Sequence, residues 1–340
     1  MTVMRISPYR KKGKALESPA ESSIEILLAT YNGERYIAEQ IESIQRQTVS
    51  EWRLLISDDC STDHTVDIIQ RYAQEDSRIT IISTNKRYGS AQANFSFLLS
   101  QSTADRVLFS DQDDIWHEDK IELFLAAMEK SEQRYGADVP LLVFSDLVIV
   151  NAEDEVIAPS SFAYINLDPH RVQLNHLLVQ NLVTGCACCL NRNLVSLIQQ
   201  GNMYDGTQMI MHDWCYAIIA AATGHVVYLD KATVDYRQHG NNAVGAHHPS
   251  KLRNAASLLC HGIRNTKTYQ GYIRNEVRQS RYIMEELQTS MPVQSQRIIA
   301  DFCAIPQEQI MKRLRLFFRD RFWRYRCTEK IYQFLALFGL

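Results

Sequence analysis

The chain has 340 residues, with 46% apolar and 22% charged side chains, enough for a large buried core and unlike a disordered or fibrous protein. Its formal net charge of -3 offers no basic surface to a polyanion, which argues against nucleic acid as a partner and makes any nucleotide contact a local site. No apolar run reaches the roughly 18 to 20 residues of a spanning helix, because Thr223, Gly224 and His225 interrupt the one from Trp214 to Leu229.

Residues 1–23 carry Arg10, Lys11, Lys12 and Lys14 among serines and prolines. They read as a flexible tail without a signal-peptide core, and the eight cysteines then belong to a reducing compartment, the cytoplasm. From Ile24 short β-branched runs alternate with helical periods. A strand over Ile24 to Ala29 ends at Thr30-Tyr31-Asn32-Gly33, after which Ile37, Ile41 and Ile44 recur at spacings of four and three and predict an amphipathic helix. Trp52 to Ser57 is the next strand. It runs into the loop Asp58 to Asp63, with Asp63 as the expected N-cap of a helix whose face carries Val66, Ile69 and Tyr72. Ile79 to Ile82, Ser90 to Leu99 and Arg106 to Ser110 continue as strand, helix, strand.

The order β-α-β-α-β-α-β predicts a mostly parallel sheet covered by helices, since parallel strands need crossover connections. Ligands of such sheets bind beyond the carboxyl ends of the strands. The loops 30–33, 58–63 and 111–114 fall there, which makes that rim a candidate nucleotide site. After a helix over Asp119 to Lys130 and a strand over Leu141 to Val150, the pattern loosens into a second, mixed half. That half holds Gly185, the cluster Cys186-Ala187-Cys188-Cys189 and a helix around His212 to Ala222. From about Lys251 the chain becomes helical and basic. Between Met311 and Lys330, eight Lys and Arg residues alternate with aromatics such as Phe317, Phe318, Phe322 and Trp323. Such a segment suits a helix packed on the core or a peripheral contact with an anionic bilayer.

Asp111, Asp113 and Asp114 put three carboxylates into four positions directly after a strand. Like charges this close repel, so they need a solvated turn or a cation. Mg²⁺ or Mn²⁺ prefers oxygen ligands and takes one or two carboxylates together with substrate phosphates.

Thr30-Tyr31-Asn32-Gly33-Glu34, Asp58-Asp59-Cys60-Ser61-Thr62-Asp63 and Ser110-Asp111-Gln112-Asp113-Asp114-Ile115-Trp116, in this order, resemble family-2 glycosyltransferases of the GT-A fold. The likeness extends over about Ile24 to Gly245 and is strongest to rhamnosyltransferase-like members that build bacterial surface polysaccharide. It implies an α/β nucleotide-diphospho-sugar transferase fold, Rossmann-like, with a mixed sheet flanked by helices and a C-terminal helical segment. The division would be a catalytic domain over 24–245, split into a donor half 24–130 and an acceptor half 131–245, followed by a basic helical segment over 246–340. The implied reaction is inverting transfer of rhamnose or a hexose from a dTDP- or UDP-sugar to a glycan or lipid-linked glycan, assisted by Mg²⁺ or Mn²⁺.

By position, the resemblance implies that Thr30 and Tyr31 lie beside the donor base and that Asp59 accepts the pyrimidine imide proton. It also implies that Asp111 and Asp113 are the ends of an Asp-x-Asp motif, with Asp113 the direct metal ligand. Cys60 departs from the pattern, standing where glycine is frequent. In the resemblance Asp213, in Met211-His212-Asp213-Trp214, is the candidate general base, whereas outside it the residue reads as a helix N-terminal carboxylate. Arg237 and His239, in Asp235-Tyr236-Arg237-Gln238-His239, are candidates for the donor diphosphate and the metal. His212 reads as a packed side chain. The cysteines read as buried thiols, because no second Cys pair accompanies Cys186 and Cys189.

Two other readings use the same nucleotide: a binding partner that has lost catalysis, and a nucleotidyltransferase that makes the donor. The first should lack the carboxylates at 59, 111, 113 and 213, yet all are present. The second needs a glycine-rich triphosphate loop with a basic residue after the first strand, which Thr30 to Arg35 does not supply.

Overall fold

The computed structural model describes residues 23–201, 203, 208–239 and 262–339. The expected flexible tail up to residue 22 and Gly240-Asn241-Asn242 lie outside the described residues. Among the described residues nine strands form one sheet in the order β3-β2-β1-β4-β8-β6-β9-β5, with β7 paired to β6.

The parallel half is β1 (Ile24–Thr30), β2 (Arg53–Asp58), β3 (Ile79–Ser83) and β4 (Arg106–Ser110), linked by α1 (Ile37–Gln45), α2 (Thr65–Glu75) and α3 (Ala91–Gln101). All seven residues of β1 are buried. Its even-numbered apolar residues Ile26 and Leu28 join the cluster containing Ile37, Ile41 and Ile44 of α1. Its odd-numbered ones, Leu27 and Ala29, join Phe95, Leu98 and Leu99 of α3 on the other face. A strand covered on both faces in this way tolerates little truncation, and Leu28→Ala would cost roughly 2 to 5 kcal/mol.

Register positions the rim. Thr30 pairs with Asp58 across β1 and β2, and Leu28 with Ser110 across β1 and β4. The three polar loops therefore leave the sheet on one edge, as the alternation predicts.

The second half is mixed. It contains β5 (Ile115–Trp116), α4 (Lys120–Tyr135), β6 (Leu141–Val150), β7 (Val156–Ala158), α5 (Ser161–Ile165), α6 (Leu174–Leu177), β8 (Cys188–Asn191), α7 (Arg192–Gln200), α8 (His212–Thr223) and β9 (His225–Arg237). β8 runs antiparallel between β4 and β6, joining the halves, while β9 runs parallel to β6. The two residues of β5 pair with Asp235 and Val234 of β9. The acidic loop is thereby fastened to the end of the last strand.

The start of α2 differs from expectation, and the helix expected over Asp119 to Lys130 runs on to Tyr135. His64, not Asp63, is the N-cap of α2. Asp63 instead accepts the Thr65 N–H at 3.0 Å and the Glu34 N–H at 3.1 Å, tying the second loop to the first.

The C-terminal helices are α9 (Gly262–Leu287), α10 (Val293–Ala304), α11 (Ile310–Asp320) and α12 (Cys327–Ala336). Phe317 and Phe322 of the basic stretch are fully buried in the same cluster as α3 and α8. Arg324 is ion-paired with the buried Glu276 of α9. The core of this segment is thus packed on the protein, and its outer face carries exposed Phe318 and Phe338. No helix among the described residues is long and apolar enough to cross a membrane.

Candidate functional site: a carboxylate cluster at the sheet edge

The first two rim loops turn through left-handed backbone at Asn32 (φ 48°) and Cys60 (φ 61°). Asn adopts this conformation readily, because its side chain can bond locally. The Asn32 amide oxygen accepts the Thr62 N–H at 2.8 Å, and its own N–H donates to Ser61 Oγ at 2.8 Å. Cysteine has no such compensation, which explains why glycine suits the position of Cys60.

Gln112 latches the third loop onto the first. Its Oε1 accepts the Thr30 hydroxyl at 2.6 Å and the Tyr31 N–H at 2.8 Å, while its Nε2 donates to the Tyr31 carbonyl at 3.1 Å. The contact is close enough that a Cβ on Gly33 would come within 2.5 Å of Gln112 Oε1. Thr30 is buried, whereas the Tyr31 ring is 45% exposed on the rim. Asp59 is buried and accepts the N–H groups of Tyr88 and of Gly89, the latter at 2.9 Å. A carboxylate has about four lone-pair sites, so one side remains for a further donor.

In the third loop, Asp113 Oδ2 meets His239 Nε2 at 2.8 Å, and the His239 ring stacks on Tyr36 with centroids 5.1 Å apart. Asp114 is fully buried, with one oxygen accepting the Arg237 N–H at 3.2 Å. Burial, then the neighbouring Asp113 and Asp213, raise the Asp111 carboxyl to about 7. Asp114 is raised well above the usual carboxylate range by burial and the charges of Asp113 and Asp111.

Asp111, Asp114 and Cys186 offer oxygen and sulfur atoms all within 4.8 Å of one another. Only a thiolate ligates well, and burial holds the Cys186 thiol far above its ordinary range, so the sulfur is a poor ligand here. The donors suited to Mg²⁺ or Mn²⁺ are the carboxylates of Asp111 and Asp113, with the His239 imidazole beside them. Lys120 supplies the nearby positive charge. Fully buried, it donates to the Cys186 carbonyl and lies 3.7 Å from the Trp116 ring centroid. Burial lowers its ammonium to about 8.

Asp213, on the first turn of α8, faces this cluster from the other half of the sheet. Its carboxylate accepts the Gly185 N–H at 3.0 Å and the Asn181 side-chain amide at 3.2 Å. Burial still wins over these hydrogen bonds and raises it to about 6. Such a value suits a group that takes a proton near neutrality. His212 packs as expected, with its ring 4.4 Å from Phe95, and burial depresses it to about 3. A Cβ on Gly185 would come within 2.9 Å of His212 Nε2, so the turn that presents its N–H to Asp213 needs glycine. Cys186, Cys188 and Cys189 are all buried and unpaired.

Arg237, expected at the donor diphosphate, is held by two acidic side chains. It is 1% exposed, with Nε donating to Asp154 and Nη2 to Glu39, each at 2.8 Å, and its guanidinium lies 4.4 Å from the Tyr36 ring centroid. It braces β9 through two carboxylates, with Tyr36 and His239 beside it. Sequence reasoning missed Gln112, Lys120, Asn181 and Asp114 as parts of the site. Gln112 and Asp114 stood inside the acidic motif itself, but nothing local marked Lys120 or Asn181.

The family described as glycosyl transferase family 2 matches residues 25–155. The chain is 29% identical over 228 residues to the dTDP-rhamnosyl transferase RfbG of Shigella flexneri, an alignment covering 64% of this chain and 74% of that protein. It is 35% identical over 181 residues to the putative teichuronic acid biosynthesis glycosyltransferase TuaG of Bacillus subtilis, covering 53% of this chain and 66% of the relative. Among solved structures, residues 1–349 of Staphylococcus aureus TarS superpose with a TM-score of 0.53 at 16% identity, covering 84% of this chain and 92% of that one. The mixed sheet flanked by helices is that of the GT-A fold, and residues 25–155 of this chain form a glycosyl transferase family 2 domain.

Proposed function

We propose that this glycosyltransferase moves a sugar, with inversion, from a nucleotide-diphosphate donor to a hydroxyl of a glycan or lipid-linked glycan, with Asp213 as the base. The observation that carries this reading is the placement of Asp213: it is buried, held by Gly185 and Asn181, raised to about 6 by burial, and electrostatically coupled to Asp111 across the site. The name of the Shigella relative and the TarS structures holding UDP and UDP-GlcNAc support a dTDP- or UDP-sugar.

In this reading Tyr31 and Asp59 receive the base, and the acceptor hydroxyl lies against Asp213. The acceptor oxygen bonds to the anomeric carbon as its proton passes to the Asp213 carboxylate. The bond from that carbon to the diphosphate oxygen breaks, and its electron pair leaves on the diphosphate. Attack opposite the leaving group inverts the anomeric centre. Asp111 and Asp113, with His239 beside them, would hold Mg²⁺ or Mn²⁺, which supplies charge neutralisation for the departing diphosphate. Acceptor access runs through the acceptor half and the C-terminal segment, whose outer face is the candidate for peripheral membrane contact.

The test is a panel of nucleotide sugars incubated with the protein and Mn²⁺ or Mg²⁺, with the anomeric configuration of product read by NMR. One donor should be consumed and the product anomer should be opposite to it. Retention of configuration would remove the single-displacement mechanism, and no turnover with any donor would favour a binding role.

A further inference from the structure

The helix that carries Asp213 begins without a cap of its own. Met211 stands at the N-cap of α8 with no side-chain hydrogen bond to the first turn, where Ser, Thr, Asp or Asn would ordinarily accept one of the free N–H groups. The entry angle of the helix, and with it the place of Asp213 two residues on, therefore depends on what holds the lead-in residues Met209 and Ile210.

Two glutamines from distant helices hold them. Gln92 of α3 donates from Nε2 to the Met209 carbonyl at 3.1 Å, and Gln279 of α9 accepts the Ile210 N–H on Oε1 at 2.7 Å. Gln279 is fully buried, and α9 contributes Ile273, Val277 and Ile283 to the same apolar cluster as Met209 and Cys215. The carboxylate of Asp213 is tied to the C-terminal segment as well. The Tyr325 N–H donates to Gln180 Oε1 at 2.8 Å, and the next residue, Asn181, donates to Asp213 at 3.2 Å.

Packing alone does not explain Gln279. Its Nε2 has no hydrogen-bond partner among the described residues, and a buried amide with an unmet donor destabilises a fold relative to an apolar side chain of similar size. What glutamine adds over methionine at this position is the acceptor for Ile210.

We infer that Gln279 is a positioning residue for the base: from the C-terminal segment it fixes the start of α8 and so aims the Asp213 carboxylate at the acceptor hydroxyl. The inference rests on the assignment of Asp213 as base. Gln279 acts through the Ile210 backbone, and the C-terminal helices thereby take part in the reaction.

Gln279→Met fills similar space and removes the acceptor, whereas Gln279→Glu keeps an acceptor oxygen in either protonation state. Both are compared in the full chain with the parent and with Asp213→Asn. Turnover is read with the nucleotide sugar that the donor panel shows to be consumed, and donor-site affinity with UDP and Mn²⁺. In Gln279→Met, kcat should fall roughly tenfold to a hundredfold, because a base displaced by a fraction of its reach loses its geometry. KM for the nucleotide sugar and affinity for UDP should stay within a few-fold, and melting within about 3 °C of the parent. Gln279→Glu should keep kcat within a few-fold. In an Asp213→Asn background Gln279→Met should lower turnover no further, since two residues that act as a unit are not additive.

Parental kcat in Gln279→Met overturns the inference, as does a matching loss of UDP affinity or a full further loss in the Asp213→Asn background. So does an equal fall in kcat in Gln279→Glu at the parental melting temperature. Amide exchange in the parent gives a check that no variant has to survive: the Ile210 N–H should be protected like those of α8, and exchange at the rate of an open loop removes the tether. Parental turnover in Asp213→Asn sinks the base reading, whereas an inactive Asp213→Asn beside a fully active Gln279→Met sinks the positioning role alone.

Discussion

His239 Nε2 lies 2.8 Å from Asp113 Oδ2, although 126 positions separate the two residues in the chain. The pairing of β5 with β9 makes this contact, since Ile115 stands opposite Asp235. On the proposed reading Asp113 is a ligand to the donor-bound cation and His239 orients it. Asp113→Ala should abolish Mn²⁺-dependent binding of a nucleoside diphosphate. His239→Ala should weaken it roughly tenfold to a hundredfold, the scale for losing a residue that supports a ligand. Titration calorimetry with and without Mn²⁺ checks both, and unchanged metal dependence in Asp113→Ala would return the loop to a structural role.

Asp213→Asn keeps the size of the side chain and most of its hydrogen bonding, but it cannot take a proton. Donor affinity should stay within a few-fold of the parent while transfer falls by roughly a hundredfold or more. Single-turnover assays beside donor titrations separate the two quantities. Near-parental transfer would move the base assignment to Asp235 or to a donor phosphate oxygen.

Since burial raises Asp213 to about 6, kcat/KM should rise with pH through that value, because the base acts only when ionised. The same shift bears on stability in the opposite sense. The folded state holds this proton more tightly than the unfolded chain, whose carboxyl titrates near about 3.9. Stability from this group therefore declines as pH climbs between those values. A pH–rate profile lacking a limb near 6, or one unchanged in Asp213→Asn, would contradict the assignment.

Gln112→Ala removes three hydrogen bonds to the first rim loop and leaves the Tyr31 N–H to water. The loop should lose roughly 1 to 3 kcal/mol of local stability, visible as faster amide exchange at Tyr31 and Asn32. On the proposed reading donor affinity should fall by roughly tenfold, because the first and third rim loops are no longer held in register.

Cys60→Gly tests the left-handed turn. Holding a cysteine at φ 61° costs about 1 to 2 kcal/mol, and glycine recovers this minus roughly 0.5 to 1 kcal/mol of added unfolded-chain entropy. A rise in melting temperature of about 1 to 3 °C is expected. A lower melting temperature would mean that the side chain, not the turn, is what matters at this position.

The parallel half of the sheet was legible because its strands are short apolar runs between amphipathic helices, and the expected ends of β4 and β6 coincide with the observed ones. The rim loops were legible because carboxylates at strand ends have few structural reasons to cluster. Arg237 was not legible. Its partners Asp154 and Glu39 stand 83 and 198 positions earlier in the chain, and no local pattern announces such pairings. Lys120 escaped notice for a related reason: the first turn of a helix is an ordinary place for a lysine, and only the return of residues 185–187 beneath it makes the position interior. The C-terminal segment suited either a core helix or a surface one, since an alternation of Arg and Phe satisfies both. The fold uses both, burying Phe317 and Phe322 and exposing Phe318.

The raised carboxyls have a calorimetric consequence. Near neutral pH Asp111, at about 7, and to a lesser extent Asp213, at about 6, hold protons that a bound cation would displace. Donor uptake should therefore acidify its surroundings, and the apparent heat of binding should scale with the ionisation enthalpy of the buffer. Lys120 limits how large that release can be, because its ammonium opposes the rise at Asp111. In Lys120→Met, more protons should be shed per donor bound, and tight binding should begin at a higher pH. On the proposed reading the enzyme would thus exchange protons for its cation, and acidification would weaken donor uptake and the base together.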